Sequence, residues 1–327
     1  MRFAIIGCGE VGTRRATAIG AIPDANVAVC ADVSPDRVAR LSGMCGRMAL
    51  GGWEEAAGAE DVDTVIISTS PSSHCEIAVA AAQNGKHIFC ESPIARFLGE
   101  AERMIAAADK AGVAFTVAAN HRRRAEVMKA RELVDSGGIG RIIFVRAGAG
   151  HGGWEPVGDT WFASAELSGG GALISNGIRA IDLGAWLMGD FVEAVGYRTT
   201  NLWPIEPCED NAFGLFKTSD GRVFSMHSSW TQWVGHLTAE IFGSEGYLLV
   251  DCDAATTTLG SRTEPTAQQV FDFSTTTDAS WRLEIEEFVE AVRSGRQPSP
   301  SARDGLRALQ MVHAVYESSE TGRAVKL

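Results

Sequence analysis

The chain has 327 residues, 45% of them hydrophobic and 21% charged, and its 41 acidic residues against 29 basic ones give a formal net charge of −12. A chain of this length and composition is expected to form one to three soluble domains with ordinary cores. Nucleic acids and anionic membranes attract basic surfaces, so the charge argues against both as main partners, although a local cluster of cations can still hold an anionic ligand.

The cysteines and the lengths of the apolar runs indicate the cellular compartment. The seven cysteines include no CxxC pair and no zinc-like spacing with histidine, which predicts buried free thiols in a reducing compartment, without disulfides or bound metal. The N-terminal stretch MRFAIIGCGEVG lacks the long apolar core and cleavage site of a signal peptide, and no apolar run is long enough to cross a membrane. We therefore expect a cytoplasmic protein.

The first 120 residues alternate strand and helix patterns. Short apolar runs typical of buried strands are RFAIIG, NVAVCAD, DTVIIST, KHIFCES and VAFTVAAN. Helical patterns separate them, as in VSPDRVARLSGM and HCEIAVAAAQNG. Strands that alternate with helices form right-handed βαβ units around a parallel sheet, so residues 1–120 are predicted to be a doubly wound α/β domain of the Rossmann type.

The pattern changes after Asn120. A helix over AEVMKARELVDSGG and a second one over ALISNGIRAIDLGAWLMG accompany strands with two-residue alternation at RIIFVRAGAG, FVEAVGYRTT, NAFGLFKTS, RVFSMHSSW, LTAEIFG and GYLLVD. Turns such as SDGR and GSEG join consecutive strands. Residues 121–327 are therefore predicted to form an α+β domain with an open, mostly antiparallel sheet covered by helix on one face. The helix at about 302–320 could pack back on the first domain.

A glycine-rich turn follows the first predicted strand and opens a helix. Gly7, Gly9 and Gly12 form a GxGxxG motif, with Glu10 and Val11 between the last two glycines. Glycines at these positions allow a tight turn and a close approach of the backbone to a pyrophosphate, and the helix N-terminus supplies free N–H groups. In this context the motif predicts a dinucleotide site.

An acidic residue at the end of the second strand completes the fingerprint. Asp32 lies twenty positions beyond Gly12, with Val33 beside it, and can accept hydrogen bonds from both adenosine ribose hydroxyls. Its charge disfavours a 2′-phosphate, which predicts NAD. Ser34 and Arg37 follow and together could hold a phosphate, so NADP stays open; a solvated helix residue is the alternative for Arg37.

Further segments follow in a characteristic order and spacing. They are VIISTSPSSH, AAAQNGKHIFCESPIA, VAFTVAANHRR, LSGGGALISNGIRAIDLGAWLMG and the terminal DGLRALQMVHAVYESSETGRAVKL. Together with the glycine turn they make the chain resemble the glucose–fructose oxidoreductase / inositol dehydrogenase / MocA family, from the first strand to the last residues.

The resemblance implies a Rossmann domain, an α/β domain and a nicotinamide cofactor in the cleft between them. It implies an oxidoreductase acting on sugars, cyclitols or related polyols, which forms a homodimer or homotetramer through the outer face of the second sheet. By position, it assigns the nicotinamide half of the cofactor to Ser68, Thr69, Pro71, His74, Glu91 and Asn120.

Three positions depart from the family pattern. Members usually have Glu-Lys-Pro where this chain has Glu91-Ser92-Pro93. A cis Ser92–Pro93 peptide bond is plausible in this segment. Family members also usually carry an Asp and a His, four residues apart, at the positions where this chain has Ser175 and Arg179. A serine hydroxyl is a poor base and arginine stays protonated. These side chains can bind a substrate oxygen. The hydroxyl proton released on oxidation needs another acceptor, to which it passes directly or through a relay that includes Ser92.

Histidines supply the candidate acceptors. His151 follows the first strand of the second domain, and an imidazole titrates near neutral pH; a solvent-exposed loop histidine is the alternative. His121 follows Asn120, but strand alternation could point it away. His227 and His236 lie on or beside sheet strands, where packing or an oligomer interface accounts for them.

Several other residues of the second domain are candidates for substrate contact. Polar candidates are Arg122, Ser175, Asn176, Arg179 and Asp182, and aromatic ones are Trp154, Trp161, Trp230 and Trp233, with Trp161 the first choice. Arg179 and Arg122 would favour a carboxylate and hence an acidic sugar. The alternatives are a local ion pair between Arg179 and Asp182, solvated arginines, and tryptophans that belong to the core or an oligomer interface.

Two functions follow. The first is an NAD(P)-dependent oxidoreductase that transfers a hydride between nicotinamide and a neutral or acidic sugar, cyclitol or related cyclic polyol. Ser92 and Arg179 would position the reacting oxygen, and His151 or a water relay would take the proton. The second is an altered relative that binds NAD(P) as a sensor, or uses NAD for a net non-redox elimination or epimerisation. The intact glycine motif and Asp32 favour the enzyme.

Overall fold

A computed structural model describes residues 1–45, 49–50, 52–153, 158 and 160–327. The chain divides into two compact units. The first comprises Met1–Asn120 and Ala279–Leu306, and the second comprises His121–Asp278 and Arg307–Leu327. The first division falls where the sequence pattern changes. The sequence pattern alone assigns residues 279–306 to the second domain, whereas the structure groups them with the first.

The helices and strands follow one another along the chain. Up to residue 120 they are β1 (Arg2–Ile6), α1 (Glu10–Gly20), β2 (Asn26–Ala31), α2 (Pro35–Cys45), β3 (Ala49–Leu50), α3 (Trp53–Gly58), β4 (Thr64–Ile67), α4 (His74–Gln83), β5 (His87–Cys90), α5 (Leu98–Ala111) and β6 (Phe115–Val117). Then follow α6 (Ala125–Asp135), β7 (Ile142–Gly150), α7 (Ala165–Ser168), α8 (Ile178–Met188), β8 (Phe191–Thr199), β9 (Asn211–Thr218), β10 (Val223–Ser229), β11 (His236–Gly243), β12 (Gly246–Asp251), β13 (Thr256–Ser261) and β14 (Gln268–Asp272). The last are α9 (Ser280–Ser294), α10 (Ala302–Thr321) and β15 (Val325–Lys326). In the part of the chain that the structure describes, no helix is long and apolar enough to cross a bilayer.

The sheet of the first unit confirms the predicted doubly wound architecture. Its six strands lie in the order β3-β2-β1-β4-β5-β6, and every neighbouring pair is parallel. Strands covered on both faces need continuous apolar runs, which is why RFAII and TVII are buried almost throughout. The strand order reverses between β1 and β4. Sheets of this kind bind ligands at the carboxyl ends of the strands beside that reversal.

Helix α9 explains why a distant segment belongs to the first unit. Its apolar residues Ile285, Phe288 and Val289 are buried in the same core cluster as Ile19 of α1. The Phe288 ring meets Phe89 of β5 edge to face, with ring centres 5.5 Å apart. The spacing of these residues along α9 gives one apolar face, and that face needs a partner surface.

The sheet of the second unit confirms the predicted mostly antiparallel arrangement. Its nine strands lie in the order β14-β13-β12-β11-β7-β10-β9-β8-β15, and only β7 and β10 are parallel neighbours. Burial alternates along β9, where Ala212 and Phe216 are buried while Phe213 and Leu215 are exposed. Helix α8 packs closely on the buried face, since a Cβ on Gly184 would lie 2.5 Å from the Phe224 ring.

The helix predicted over ALISNGIRAIDLGAWLMG has two parts. The segment Leu173–Gly177 is a π-helical turn, and α8 begins at Ile178. No sequence pattern indicates this change, because a five-residue π-turn is too short for its wider period to appear in the apolar spacing. Strands β13, β14 and β15 were also missed, since TTTLGS, QQVFD and the two-residue β15 carry little apolar alternation.

Candidate active site

The three glycines of the turn after β1 have different steric roles. Gly7 has a φ of +98°, and a Cβ there would lie 2.4 Å from the Ser68 carbonyl oxygen. A Cβ on Gly12 would lie 2.0 Å from the Gly7 carbonyl oxygen, so the fold itself requires glycine at both positions. A Cβ on Gly9 would meet no atom within 4 Å. The turn therefore leaves its backbone open to approach at Gly9, at the N-terminus of α1.

The Asp32 carboxylate stands beside this turn, just beyond β2. Its Oδ2 accepts the Cys8 backbone N–H at 2.7 Å, and its Oδ1 accepts the Ser34 backbone N–H at 2.9 Å. Each oxygen keeps a further lone pair that can accept a ribose hydroxyl. Val33 beside it is 99% exposed. Arg37 is exposed in the first turn of α2, with its backbone N–H 3.5 Å from Ser34 Oγ.

The turn and the carboxylate together fit a dinucleotide. The free backbone N–H groups of α1 and the open side of Gly9 suit a pyrophosphate, and the anchored Asp32 suits an adenosine ribose. Glu10 and Val11 lie in the same first turn of the helix and are both exposed. Glu10 pairs with Arg14 at 2.6 Å, an exposed contact within the helix.

The segment after β4 is fixed against the glycine turn. The Ser68 hydroxyl donates to the Gly7 carbonyl oxygen at 2.8 Å. The Thr69 hydroxyl oxygen accepts the Ser73 hydroxyl at 2.7 Å, and Pro71 begins the 3₁₀ turn that leads into α4. Ser68 and Thr69 therefore lie at the carboxyl edge of the sheet beside the turn, where the sequence predicted cofactor contacts.

His74 connects this segment with the loop after β5. It is 1% exposed, with Nδ1 3.1 Å from the Pro93 carbonyl oxygen and Nε2 3.2 Å from the Thr69 carbonyl oxygen. Burial lowers the pKa of His74, although the contacts with carbonyl groups oppose that shift. Both ring nitrogens thus face backbone carbonyls. This geometry ties the two loops together through His74, and its contact with the cofactor stays a prediction.

An ion-pair network that the sequence did not reveal lies at the end of β5. Glu91 Oε1 accepts the Arg15 Nε–H at 2.6 Å, and the fully buried Arg15 also donates through Nη1 to Glu284 Oε2 at 2.6 Å. The guanidinium lies over the rings of Phe89 and Trp281, at 4.6 and 4.4 Å from their centres. Burial raises the pKa of Glu284 despite the charge of Arg15. Glu91, predicted to face the cofactor, is thus held in place from the side of α1.

Each partner in this network had a visible signal in the sequence. Arg15 interrupts the face of α1 that buries Ala16 and Ile19, and Glu284 precedes Ile285 on the buried face of α9. A charged residue on an apolar helix face predicts a buried partner of opposite charge. Neither pattern identifies that partner, because the two helices are far apart in the chain.

Ser92 and Asn120 lie at the same edge of the first unit. The Ser92–Pro93 peptide bond is cis, in agreement with the sequence interpretation, and Ser92 is half-buried. Asn120 Nδ2 donates to the Ser280 hydroxyl oxygen at 3.0 Å. Asn120 is thereby anchored to the start of α9, beyond the carboxyl end of β6.

In the second unit, the π-helical turn carries Ser175 and Asn176, which are both half-buried. Such turns recur at functional sites. The Ser175 hydroxyl donates to the Gly171 carbonyl oxygen at 2.8 Å. Buried Glu209, which the sequence did not reveal, accepts the backbone N–H groups of Gly171 and Leu173 at 3.1 and 2.8 Å. Burial raises the pKa of Glu209, and its hydrogen bonds fix the entry to the turn.

Asp182 is bonded to Arg122 and His121. Arg122 donates through Nε to Oδ2 at 2.7 Å and through Nη2 to Oδ1 at 2.6 Å, and His121 Nε2 lies 2.8 Å from Oδ2. Burial raises the pKa of Asp182, but the Arg122 charge and the His121 hydrogen bond outweigh it and hold the pKa far below its usual range. The sequence predicted Arg122 and Asp182 as substrate ligands, with an Arg179–Asp182 pair as the alternative. The structure instead commits both oxygens of Asp182 to the Arg122 fork.

His151 follows β7 directly. Its Nδ1 accepts the Gly153 backbone N–H at 3.0 Å, and its ring stacks on Trp230 with centres 6.0 Å apart. Burial, and then the charge of Arg179, lower the pKa of His151. Arg179 is exposed in the first turn of α8, and its charge also acts on buried His121. Arg179 therefore lies within electrostatic reach of both histidines.

The tryptophans of the second unit differ in burial. Trp161 is 36% exposed and stacks on Phe162 with ring centres 3.7 Å apart. Trp230 is fully buried in a core cluster, whereas Trp233 is 69% exposed. Trp154 lies outside the described residues. Trp161 therefore keeps the combination of an exposed ring face and a fixed ring plane that suits stacking on a sugar.

Both parts of the chain match known family models. Residues 1–119 match the model described as an oxidoreductase family with an NAD-binding Rossmann fold. Residues 127–249 match the model described as the GFO/IDH/MocA C-terminal domain. The two matches together span most of the chain and follow the division seen in the structure.

Individual relatives match over the full length. The chain is 28% identical over 335 residues to the myo-inositol 2-dehydrogenase of Thermotoga maritima, covering 100% of this chain and 98% of the relative. It is 26% identical over 338 residues to the scyllo-inositol 2-dehydrogenase (NAD(+)) of Bacillus subtilis, covering 100% and 96%. A solved levoglucosan dehydrogenase in complex with NADH and levoglucosan shares its fold, with a TM-score of 0.92 at 23% identity over 100% of this chain and 99% of that one.

Proposed function

The chain belongs to the GFO/IDH/MocA oxidoreductase family and is an NAD-binding oxidoreductase of the sugar and cyclitol dehydrogenase type, and we propose that it oxidises a ring hydroxyl of a cyclic polyol with NAD. The observation that carries this proposal is the pairing of an open Gly9 with an anchored Asp32. The first leaves room for a pyrophosphate and the second for an unphosphorylated ribose. A bound nicotinamide supplies the two-electron acceptor.

The Asp32 carboxylate supports NAD over NADP. A 2′-phosphate would bring a second negative group against a carboxylate whose two oxygens are each held by a backbone N–H group. Like charges in such a position cost several kcal/mol. Arg37 could offset part of this cost, but its side chain is exposed in the first turn of α2. The names of the relatives are those of dehydrogenases, so the sensor and net non-redox alternatives gain no support from them.

We assign polyol binding to the polar and aromatic groups of the second unit that remain accessible. They are Ser175, Asn176, Arg179, His151 and Trp161. Arg122 and Asp182 have a positioning role in this proposal, because they are buried and bonded to each other.

Arg179 favours an acidic ring substrate over a neutral one. It is exposed on α8, and a guanidinium can hold a carboxylate through two parallel hydrogen bonds. Glucose and glucuronate make a matched pair for this comparison, since glucuronate carries a carboxylate where glucose carries a hydroxymethyl group and the two are otherwise the same.

Turnover of a defined panel tests the function. Purified protein with NAD is expected to reduce the nicotinamide, followed by absorbance, on at least one of myo-inositol, scyllo-inositol, levoglucosan, glucose and glucuronate, with an efficiency at least about tenfold higher than with NADP. The variant Arg179→Ala is expected to lose at least about tenfold in kcat/KM for an acidic substrate and little for its neutral partner. Absence of turnover despite tight NAD binding would contradict the proposed dehydrogenase function. An equal loss of kcat/KM on the acidic and the neutral sugar in Arg179→Ala would contradict the proposed contact between Arg179 and a carboxylate.

We also propose that two copies of the chain associate through the outer face of the second sheet. A groove of about 410 Å³ on this face is lined by residues from β7 to β11, among them Tyr197, Phe213, Leu215 and His227. Tyr197 is 65% and Leu215 53% exposed, and the Phe213 and His227 rings stack with centres 4.3 Å apart. An apolar patch of this kind on a sheet is typical of a protein interface.

Light scattering on a sizing column measures this association. The unsubstituted chain is expected to elute as a dimer or tetramer, and Phe213→Glu is expected to shift it towards monomer because a carboxylate would be buried at the interface. Met128→Glu is the matched control, since Met128 is similarly exposed at 43% against 48% but lies on α6, outside the groove. A monomeric parent chain, or equal effects of both variants, would contradict the proposal.

A further inference from the structure

The proposed oxidation lacks an evident proton acceptor. A hydroxyl that becomes a carbonyl must lose its proton to a nearby base. Ser92 and Ser175 carry hydroxyl groups, which do not accept a proton near neutral pH, and Arg179 stays protonated. Two histidines of the second unit, His151 and His121, lie within electrostatic reach of Arg179. Their hydrogen bonds distinguish them.

His151 presents a donor and no base. Its Nδ1 accepts the Gly153 backbone N–H at 3.0 Å, so the lone pair of that nitrogen is engaged. A neutral imidazole with an accepting Nδ1 carries its proton on Nε2. His151 can therefore donate a hydrogen bond to a substrate oxygen. To accept a proton at Nε2 it would first have to change tautomer and give up the Gly153 bond.

His121 has the opposite arrangement. Its Nε2 lies 2.8 Å from Oδ2 of Asp182. The bidentate Arg122 contact keeps Asp182 ionised and hence an acceptor only, so Nε2 must carry the proton and Nδ1 the lone pair. In the described part of the chain, Nδ1 has no hydrogen-bond partner, and it is not among the unpartnered polar atoms sealed from solvent. His121 as a whole residue is 5% exposed.

The position of His121 suits this chemistry. It lies in the 3₁₀ turn Asn120–Arg123, directly after Asn120 and just beyond the carboxyl end of β6. Asp182 and Arg179 are three residues apart on α8 and so project from the same side of the helix. An imidazole from a neighbouring turn therefore lies against the helix that carries Arg179.

We propose that His121 is the proton acceptor of the oxidation, an inference that rests on the proposed dehydrogenase function. Nδ1 takes the proton of the substrate hydroxyl as the O–H bond breaks and its electron pair becomes part of the new C=O bond. A bound nicotinamide would supply the acceptor for the hydride that the carbon loses. The product imidazolium is paired with Asp182, and it returns the proton when a ketone is reduced.

Asp182 and Arg122 act through His121 as positioning residues. The charged groups facing the imidazole are Asp182, Arg122 and Arg179. Burial lowers the pKa of His121; the Asp182 hydrogen bond and charge raise it, and the two arginines lower it again. The ring is thus neutral near pH 7 and ready to accept a proton, while Asp182 stabilises the imidazolium after transfer.

The variant His121→Gln tests the proposal without removing the structural contact. A glutamine amide N–H can replace the Nε2 donor to Asp182, but it offers no titratable base. We expect its melting temperature to stay close to that of the parent chain and kcat for oxidation to fall about a hundredfold or more. The parent kcat/KM should decline as the pH falls through the pKa of His121, and this decline should be absent in the variant. His151→Gln should raise KM and keep the decline. A pH-dependent decline that survives in His121→Gln and disappears in His151→Gln would overturn the proposal.

Imidazole spectra separate this proposal from the proposed function. The chain has seven histidines, and the ¹H–¹⁵N signals of His121 are identified by their loss in His121→Gln. We expect the Nδ1 signal to be that of an unprotonated nitrogen and to shift when a polyol is added together with NADH. The polyol is one that the panel shows to be turned over, or myo-inositol if the panel shows no turnover. A protonated Nδ1, or signals that the polyol leaves unchanged, would overturn the role of His121 whether or not the panel shows turnover.

Discussion

Replacing Gly9 with valine is expected to weaken NAD binding by about ten- to a hundredfold and to leave the fold intact. Gly9 has φ −72° and ψ −163°, a conformation open to any residue, and a Cβ there would meet no protein atom within 4 Å. The same space is where a pyrophosphate would approach the N-terminus of α1. The side chain would therefore displace the ligand and not the protein. The loss of a glycine N-cap should cost at most about 1 kcal/mol of stability.

Calorimetric titration with NAD measures the affinity, and thermal unfolding with and without NAD measures the fold. The parent chain should melt at a higher temperature with NAD, and Gly9→Val should lose that shift while melting normally without it. Gly12→Val is the contrasting control, because its Cβ would lie 2.0 Å from the Gly7 carbonyl oxygen and should prevent normal folding. Unchanged NAD affinity in a folded Gly9→Val variant would show that the turn does not hold the cofactor.

Local patterns made the candidate cofactor contacts of the first unit predictable. The glycine turn and Asp32 depend on residues close together in the chain, and each has a steric or charge requirement that only a few residue types meet. The same holds for the parallel sheet, whose buried strands need continuous apolar runs. The glycine motif and the predicted strands were therefore sufficient to place Gly9 and Asp32 at the same edge of the sheet.

The candidate catalytic residues of the second unit were less predictable because their contacts are long-range. Strand alternation suggested that His121 could point away, but it lies in a 3₁₀ turn, where alternation does not apply. Its partner Asp182 is 61 positions away, so no local pattern links them. His151 was placed correctly after β7, yet its availability as a base depends on the Gly153 backbone N–H, which no sequence pattern reveals. Tautomers follow from hydrogen bonds, and those require the structure.

Replacing Arg15 with methionine is expected to destabilise the first unit by about 3–5 kcal/mol. The guanidinium is fully buried between Phe89 and Trp281, and it is the shared partner of Glu91 and Glu284. Methionine fills much of the same space but leaves the two carboxylates without their cation. Removing one partner of a buried ion pair costs far more than the pair itself contributes, since the remaining charge stays desolvated.

Two further variants show whether charge or shape is responsible. Arg14→Met is the matched control: Arg14 is adjacent on α1, but its ion pair with Glu10 is exposed, so the change should stay within about 1 kcal/mol. The triple variant Arg15→Met/Glu91→Gln/Glu284→Gln removes all three charges and should recover much of the lost stability. Calorimetric unfolding measures each one. A triple variant no more stable than Arg15→Met would show that packing of the guanidinium, and not its charge, sustains the unit.

The pH dependence of Arg15→Met follows from Glu284. Burial already raises the pKa of this carboxyl group in the folded chain, and the loss of the Arg15 charge raises it further. The folded state then keeps a proton that the unfolded state has released above about pH 4.3. The free energy of unfolding of the variant should therefore fall as the pH rises from about 4.3 through the raised pKa of Glu284. The defect should be smaller at pH 5 than at pH 8, and a defect independent of pH would mean that Glu284 keeps a compensating partner.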